Sequence, residues 1–133
     1  MHRPTVLLVD DFISIREILR EVFERAGFIV CAEAENGVEA IVQAEKHKPD
    51  LIILDHSMPV MGGLETAPTL RRILPTTAII LFTLYADCLL SGDAAASGIS
   101  TVVAKGDLDA LMTAVELHFQ PPGSRKGAVG AAS

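Results

Sequence analysis

The chain has 133 residues, half of them hydrophobic, which suffices for one well-packed core and is cramped for two domains. Its formal charge of −6, the lack of a lysine or arginine run in the patterned part and its few scattered aromatic residues argue against direct nucleic-acid binding. Apolar runs such as Leu51–Leu54 and Ala78–Phe82 are far too short to span a bilayer, no secretory pattern precedes Asp10, and Cys31 and Cys88 read as isolated reduced thiols, so a cytoplasmic protein is expected.

Along the chain, strand and helix patterns alternate. Thr5–Val9 is a short β-branched and apolar run that ends in Asp10-Asp11. Ser14 with Glu17 three residues later has capping-box spacing, and Ile15, Ile18, Leu19, Val22 and Ala26 recur at helical spacing until Gly27. Phe28–Cys31 reads as a second strand with Glu33 near its end, at an edge of the sheet. Asn36 is placed to cap the next helix, with Glu39 three residues on and Val38, Ile41 and Val42 as its expected buried stripe. After Pro49-Asp50, Leu51–Leu54 is apolar on both faces, as a central parallel strand requires, and it ends at Asp55.

The loop His56–Gly63 leads to a helix from about Leu64 to Ile73, where Pro68 predicts a late start or a distorted first turn. Ala78–Phe82 is a further doubly apolar strand ending at Thr83. Residues 87–96 are helical but weakly patterned around Gly92, and a mobile segment is expected there. Ile99–Val103 is the fifth strand, just before Lys105. Asp107 caps a last helix with a stripe of Leu108, Leu111, Met112, Val115 and Phe119. From Pro121 onward the chain is small and featureless. These readings divide it into a domain over residues 1–120 and a tail or linker over 121–133. Five β-α units imply an α/β fold: a doubly wound, five-stranded parallel sheet with helices on both faces.

Ligands of open α/β sheets bind at the carboxyl ends of the strands. There the chain sets Asp10-Asp11, Asp55, Thr83 and Lys105. Any one of these is ordinary alone: a strand-end aspartate is usually a turn or helix cap, and a single lysine a solvated charge. Together they place three carboxylates, a hydroxyl and an ammonium at one rim. Clustered carboxylates repel one another until a hard divalent cation, Mg²⁺ or Mn²⁺, relieves them. A carboxylate beside such an ion is an oxygen nucleophile toward a phosphoryl group, and the cation and lysine offset the charge spread over the phosphoryl oxygens.

The stretches Leu7-Leu8-Val9-Asp10-Asp11, Leu54-Asp55-His56-Ser57-Met58-Pro59-Val60-Met61-Gly62-Gly63, Leu81-Phe82-Thr83 and Val103-Ala104-Lys105 resemble the receiver domains of two-component response regulators, over about residues 4–119. The resemblance implies the CheY-like strand order 2-1-3-4-5 and phosphorylation of Asp55 by a sensor histidine kinase. It implies Mg²⁺ held by Asp11, Asp55 and the Ser57 main-chain carbonyl, with Asp10 acting through water. Lys105 contacts the phosphoryl group, and Thr83 couples the site to the face made by the fourth helix, fifth strand and fifth helix. The implied output is a downstream protein or a fused domain, for example a transcriptional one, with homodimer formation on phosphorylation. The chain is then a switch that catalyses its own phosphoryl transfer rather than an enzyme acting on other molecules.

Three positions depart from the family pattern. Val102 stands where an aromatic residue often lies three before the lysine, Leu84 where a small residue often follows the threonine, and Gly106 where a proline often follows the lysine. Leu84 is expected to narrow the pocket. His56 reads as a solvated loop residue, whereas Ser57 and Tyr85 are placed to line the pocket entrance and tune access of water. Two further readings compete: a degenerate receiver that binds partners without phosphorylation, and an aspartyl-nucleophile phosphatase or phosphotransferase, which wants an Asp-x-Asp motif and a cap domain that the sequence lacks. No Gly-rich phosphate loop follows the first strand, which counts against a flavin or dinucleotide fold.

Overall fold

The computed structural model describes residues 3–84 and 96–119. Five parallel strands, β1 (Thr5–Val9), β2 (Ile29–Ala34), β3 (Leu51–Leu54), β4 (Ala78–Thr83) and β5 (Thr101–Ala104), form one sheet in the order β2-β1-β3-β4-β5. The helices are α1 (Ile13–Arg25), α2 (Gly37–His47), α3 (Gly63–Ile73) and a C-terminal helix, Leu108–Phe119. Residues 87–95 of the helix expected over 87–96, Tyr85, Cys88 and the segment from 120 onward lie outside the described residues.

The alternation of side chains along each strand splits the core in two. Leu7, Val9, Ile52, Leu54, Ile79 and Leu81 face α2 and α3, where Ala40, Ala44, Ala67 and Leu70 meet them. Val6, Leu8, Ile53, Ile80, Phe82 and Val103 face α1 and the C-terminal helix, against Leu19, Phe23, Leu111 and Val115. Edge-to-face contacts from Phe23 to Phe28 (5.2 Å) and Phe28 to Phe119 (5.4 Å) close the lower end of this second core. Each fully buried Leu, Ile or Val contributes about 1.5–3 kcal/mol, which is why the central strand β3 is apolar along its whole length.

Local details differ from the sequence pattern in four places. The N-cap of α1 is Phe12, not Ser14; Asp10 Oδ1 accepts the Phe12 N–H at 2.9 Å, so the aspartate turn starts the helix two residues early. Its buried row is Arg16, Leu19 and Phe23, while Ile18 and Ala26 are exposed. In α2 the Asn36 cap is as expected, accepting the Glu39 N–H at 3.0 Å, but the buried residues are Gly37, Ala40 and Ala44. Val38 and Val42 are 48% and 55% exposed. The helix lies so close to α3 that a Cβ on Gly37 would overlap Thr66 Oγ1, and only small residues fit on that face. Finally, α3 begins at Gly63, with Glu65 Oε1 accepting the Gly62 N–H at 3.3 Å, so Pro68 does not delay it. The Asp107 cap of the C-terminal helix is present, its Oδ1 accepting from Ala110 N at 2.9 Å.

Candidate functional site

Parallel strands bring their carboxyl ends to one rim, and here the ladder carries on past them. The Asp10 N–H donates to the Ala34 carbonyl at 3.0 Å, the Asp55 N–H to Val9 at 2.9 Å and the Lys105 N–H to Thr83 at 2.8 Å. Each chemically active residue thus leaves the sheet with its backbone already fixed.

Asp10, Asp11 and Asp55 each offer a carboxylate oxygen within 4.8 Å of the others. Lys105 Nζ lies 2.7 Å from Asp10 Oδ2 and 3.3 Å from Asp55 Oδ1. Asp10, Asp55 and the Lys105 side chain are all nearly removed from solvent, and Thr83 is buried at the end of β4 beside Ala104. Ser57 is exposed on the loop two residues past Asp55, and among the described residues its carbonyl accepts no main-chain hydrogen bond.

Three acids and one ammonium leave an excess of buried negative charge. Burial, and then the neighbouring charge of Asp10, push the Asp55 carboxyl up from 3.8 to about 6. Lys105 offsets part of this, and a hydrogen bond with Asp11 adds to it. Burial works against the Lys105 charge, but its bonds to Asp10 and Asp55 outweigh that and raise its pKa. Asp11 Oδ1 is buried with no hydrogen-bond partner, an expensive state for a carboxylate oxygen. A hard cation among these oxygens removes both the repulsion and the unmet acceptor, so the donor set fits Mg²⁺ or Mn²⁺.

The loop after β3 folds tightly back on Asp55. Gly63 N–H donates to the His56 carbonyl at 2.9 Å, and a Cβ on Gly63 would overlap the Asp55 carbonyl, so this helix start admits only glycine. Val60 sits at φ 70° between the Pro59 carbonyl and the Met61 N–H, 2.7 Å apart, which makes a strained three-residue turn. Leu84, after the end of β4, is 71% exposed. Gly106 takes φ 93°, a backbone closed to proline. Val102 packs half-buried on the α2–α3 side of the sheet.

One residue at the site escaped the sequence reading. Arg16 donates from Nη1 to the Asp10 carbonyl at 2.6 Å and from Nε to Glu33 Oε1 at 2.8 Å. Its only trace in the sequence is its place four residues ahead of Arg20 and three ahead of Leu19, and a periodicity count discards charged residues as solvent-facing.

A doubly wound sheet that ends an acidic triad, a threonine and a lysine at one rim defines a phosphorylation-switch domain. Residues 6–116 match the family described as Response regulator receiver domain, and the chain belongs to that family. It is 32% identical over 120 residues to sporulation initiation phosphotransferase F of Bacillus subtilis, covering 90% of this chain and 96% of that protein. It is 37% identical over 102 residues to protein-glutamate methylesterase/protein-glutamine glutaminase 3 of Hahella chejuensis, covering 75% of this chain but 29% of that protein. It spans 38% of another longer relative. Among solved structures, the response regulator TrrA of Thermotoga maritima in complex with Mg²⁺-BeF is similar at TM-score 0.78 and 33% identity, covering 87% of this chain and 99% of that one. Receiver domains work with histidine kinases and output partners. No helix among the described residues is long and apolar enough to cross a membrane.

Proposed function

We propose that Asp55 is the phosphoacceptor of this receiver and that Lys105, Thr83, Asp10, Asp11 and the Ser57 carbonyl complete its site. The observation that carries this reading is the bridging of Asp10 and Asp55 by one buried ammonium beside the unpartnered Asp11 Oδ1. Asp11, Asp55 and the Ser57 carbonyl would hold Mg²⁺ or Mn²⁺, with Asp10 contributing through water, and such an ion would supply positive charge to offset the carboxylates and the phosphoryl oxygens.

The ionised Asp55 oxygen attacks phosphorus in a phosphohistidine of the sensor kinase. The P–O bond forms as the P–N bond breaks, and the leaving imidazole takes a proton from solvent. Lys105 keeps Asp55 oriented and then bonds a phosphoryl oxygen. Thr83, whose main chain is tied to Lys105, donates its hydroxyl to the modified group and couples the site to the output face on β5 and the C-terminal helix. Later attack by water on phosphorus releases phosphate and restores the carboxylate.

Residues 1–120 form the switch and 121–133 a tail or linker. The output is a separate protein or a fused domain, such as a transcriptional one, and the short coverage of the longer relatives supports this. The domain acts in the cytoplasm, self-associates when phosphorylated, and catalyses only its own phosphoryl transfer and hydrolysis.

The test is incubation with Mg²⁺ and acetyl phosphate or phosphoramidate, followed by intact mass. One added phosphoryl group, labile to hydroxylamine and absent in Asp55→Asn, is expected. An adduct that persists in Asp55→Asn refutes the assignment.

A further inference from the structure

The mechanism leaves one buried charge unused. Arg16 is 8% exposed on a helix face otherwise formed by Leu19 and Phe23. Burying a guanidinium there is costly unless its donors are well used, and one of its two contacts reaches the site. Nη1 holds the Asp10 carbonyl, and Nε holds Glu33 at the far end of β2. The other Glu33 oxygen is held by Arg20, at 2.9 Å from Nε and 2.6 Å from Nη2. Glu33 is thus gripped from both sides and orients Arg16 in turn.

The Asp10 carbonyl belongs to the rigid peptide plane that carries the Asp11 nitrogen. The remaining polar atoms of Asp10 are already committed: its N–H to Ala34, Oδ1 to Phe12 N and Oδ2 to Lys105. With the carbonyl held as well, that plane cannot rotate, and the plane decides where Asp11 leaves β1. Asp11 carries the buried oxygen that no hydrogen bond satisfies.

We propose that Arg16, oriented by Glu33, is a positioning residue that sets the Asp10–Asp11 peptide plane and thereby the affinity of the acidic pocket for its divalent cation. The inference rests on the metal reading above. An arginine suits the role because its planar fork reaches two acceptors at once and keeps its charge at any physiological pH. The fork acts only through the main chain of Asp10, so it sets affinity more than the chemical step.

Calorimetric Mg²⁺ titration of the parent, Arg16→Met, Arg16→Lys and Asp11→Asn, without any phosphoryl donor, tests this. Arg16→Met keeps the apolar stem and loses the fork, and its Mg²⁺ affinity is expected to fall by about tenfold, as changes behind metal ligands commonly do. Arg16→Lys is expected to fall between it and the parent. At saturating Mg²⁺ the rate of acetyl-phosphate labelling of Arg16→Met should return to within about threefold of the parent, since the loss lies in affinity. A folded Arg16→Met that melts lower but binds Mg²⁺ as the parent does reduces Arg16 to a structural bond and overturns the inference. Should Arg16→Met fail to fold, Glu33→Gln, which keeps shape and an acceptor but loses the charge, decides: weakened Mg²⁺ binding supports the proposal and unchanged binding overturns it. A parent that takes up no Mg²⁺ overturns the metal reading and this inference together.

Discussion

Asp55 has a carboxyl whose pKa is raised on folding, and the sign of its effect follows from that. Its contribution to stability is present below the unfolded value of 3.8 and is lost as pH rises through about 6. Without metal, the parent should therefore lose stability relative to Asp55→Asn between about pH 4 and pH 6, by up to about 3 kcal/mol. Denaturant titrations of the two proteins across that range check it, and a gap that does not change with pH refutes it. Lys105 is the cation that lets three acids share one pocket. Lys105→Ala should slow labelling by acetyl phosphate about 10²-fold at saturating Mg²⁺, the usual cost of removing one donor to a phosphoryl-like transition state. Single-turnover labelling followed by mass measures this directly. These residues were legible beforehand because strand ends are legible: a run of apolar residues stops, and whatever polar residue follows lies at the rim. Arg16 was not, because the reason for its burial is a main-chain carbonyl brought to it by the fold.

At the level of elements, the loop after β3 packs closely against Asp55. A methyl group on Gly63 would overlap the Asp55 carbonyl and approach Leu81 Cδ1 to 2.9 Å. Gly63→Ala should cost roughly 1–3 kcal/mol by overpacking and lower adduct yield by moving the acceptor. Val60, by contrast, is 81% exposed at positive φ, so Val60→Gly removes strain and little contact. It should raise stability by roughly 0.5–1 kcal/mol and leave labelling by acetyl phosphate unchanged. Chemical denaturation of both variants separates the two cases. Helix existence was readable throughout the described chain, but helix faces were less so. Val38 and Val42 have the apolar character that marks a buried stripe, yet α2 turns its glycine and alanines inward because α3 approaches too closely for larger groups. The start of α1 was misplaced because Ser14 and Glu17 mimic a capping box, while the Asp10 turn ends at Phe12 and opens the helix there.

For the molecule as a whole, the strand order and the two-sided core were the most legible features, since doubly apolar strands alternating with helices leave few topologies. A cation held as proposed would stabilise every part of this fold at once, because the three carboxylates come together only in the folded chain. Mg²⁺ at about 100 times its dissociation constant should add about 2.7 kcal/mol, or roughly 5–10 °C in Tm, and EDTA should reverse it. The same shift in Asp11→Asn would count against the proposed ligands. The sheet also acts as a partition. Ile52 packs toward α2 and α3 and Val115 against the opposite face, with no cluster shared between them. Their small losses, Ile52→Val and Val115→Ala, should therefore add to within about 0.5 kcal/mol in the double variant. The consequence is historical as much as thermodynamic. Mutational drift behind one face goes unfelt behind the other, so the surface of α1 and the C-terminal helix can be rewritten for a new partner while the rim and the α2–α3 half stay as they are.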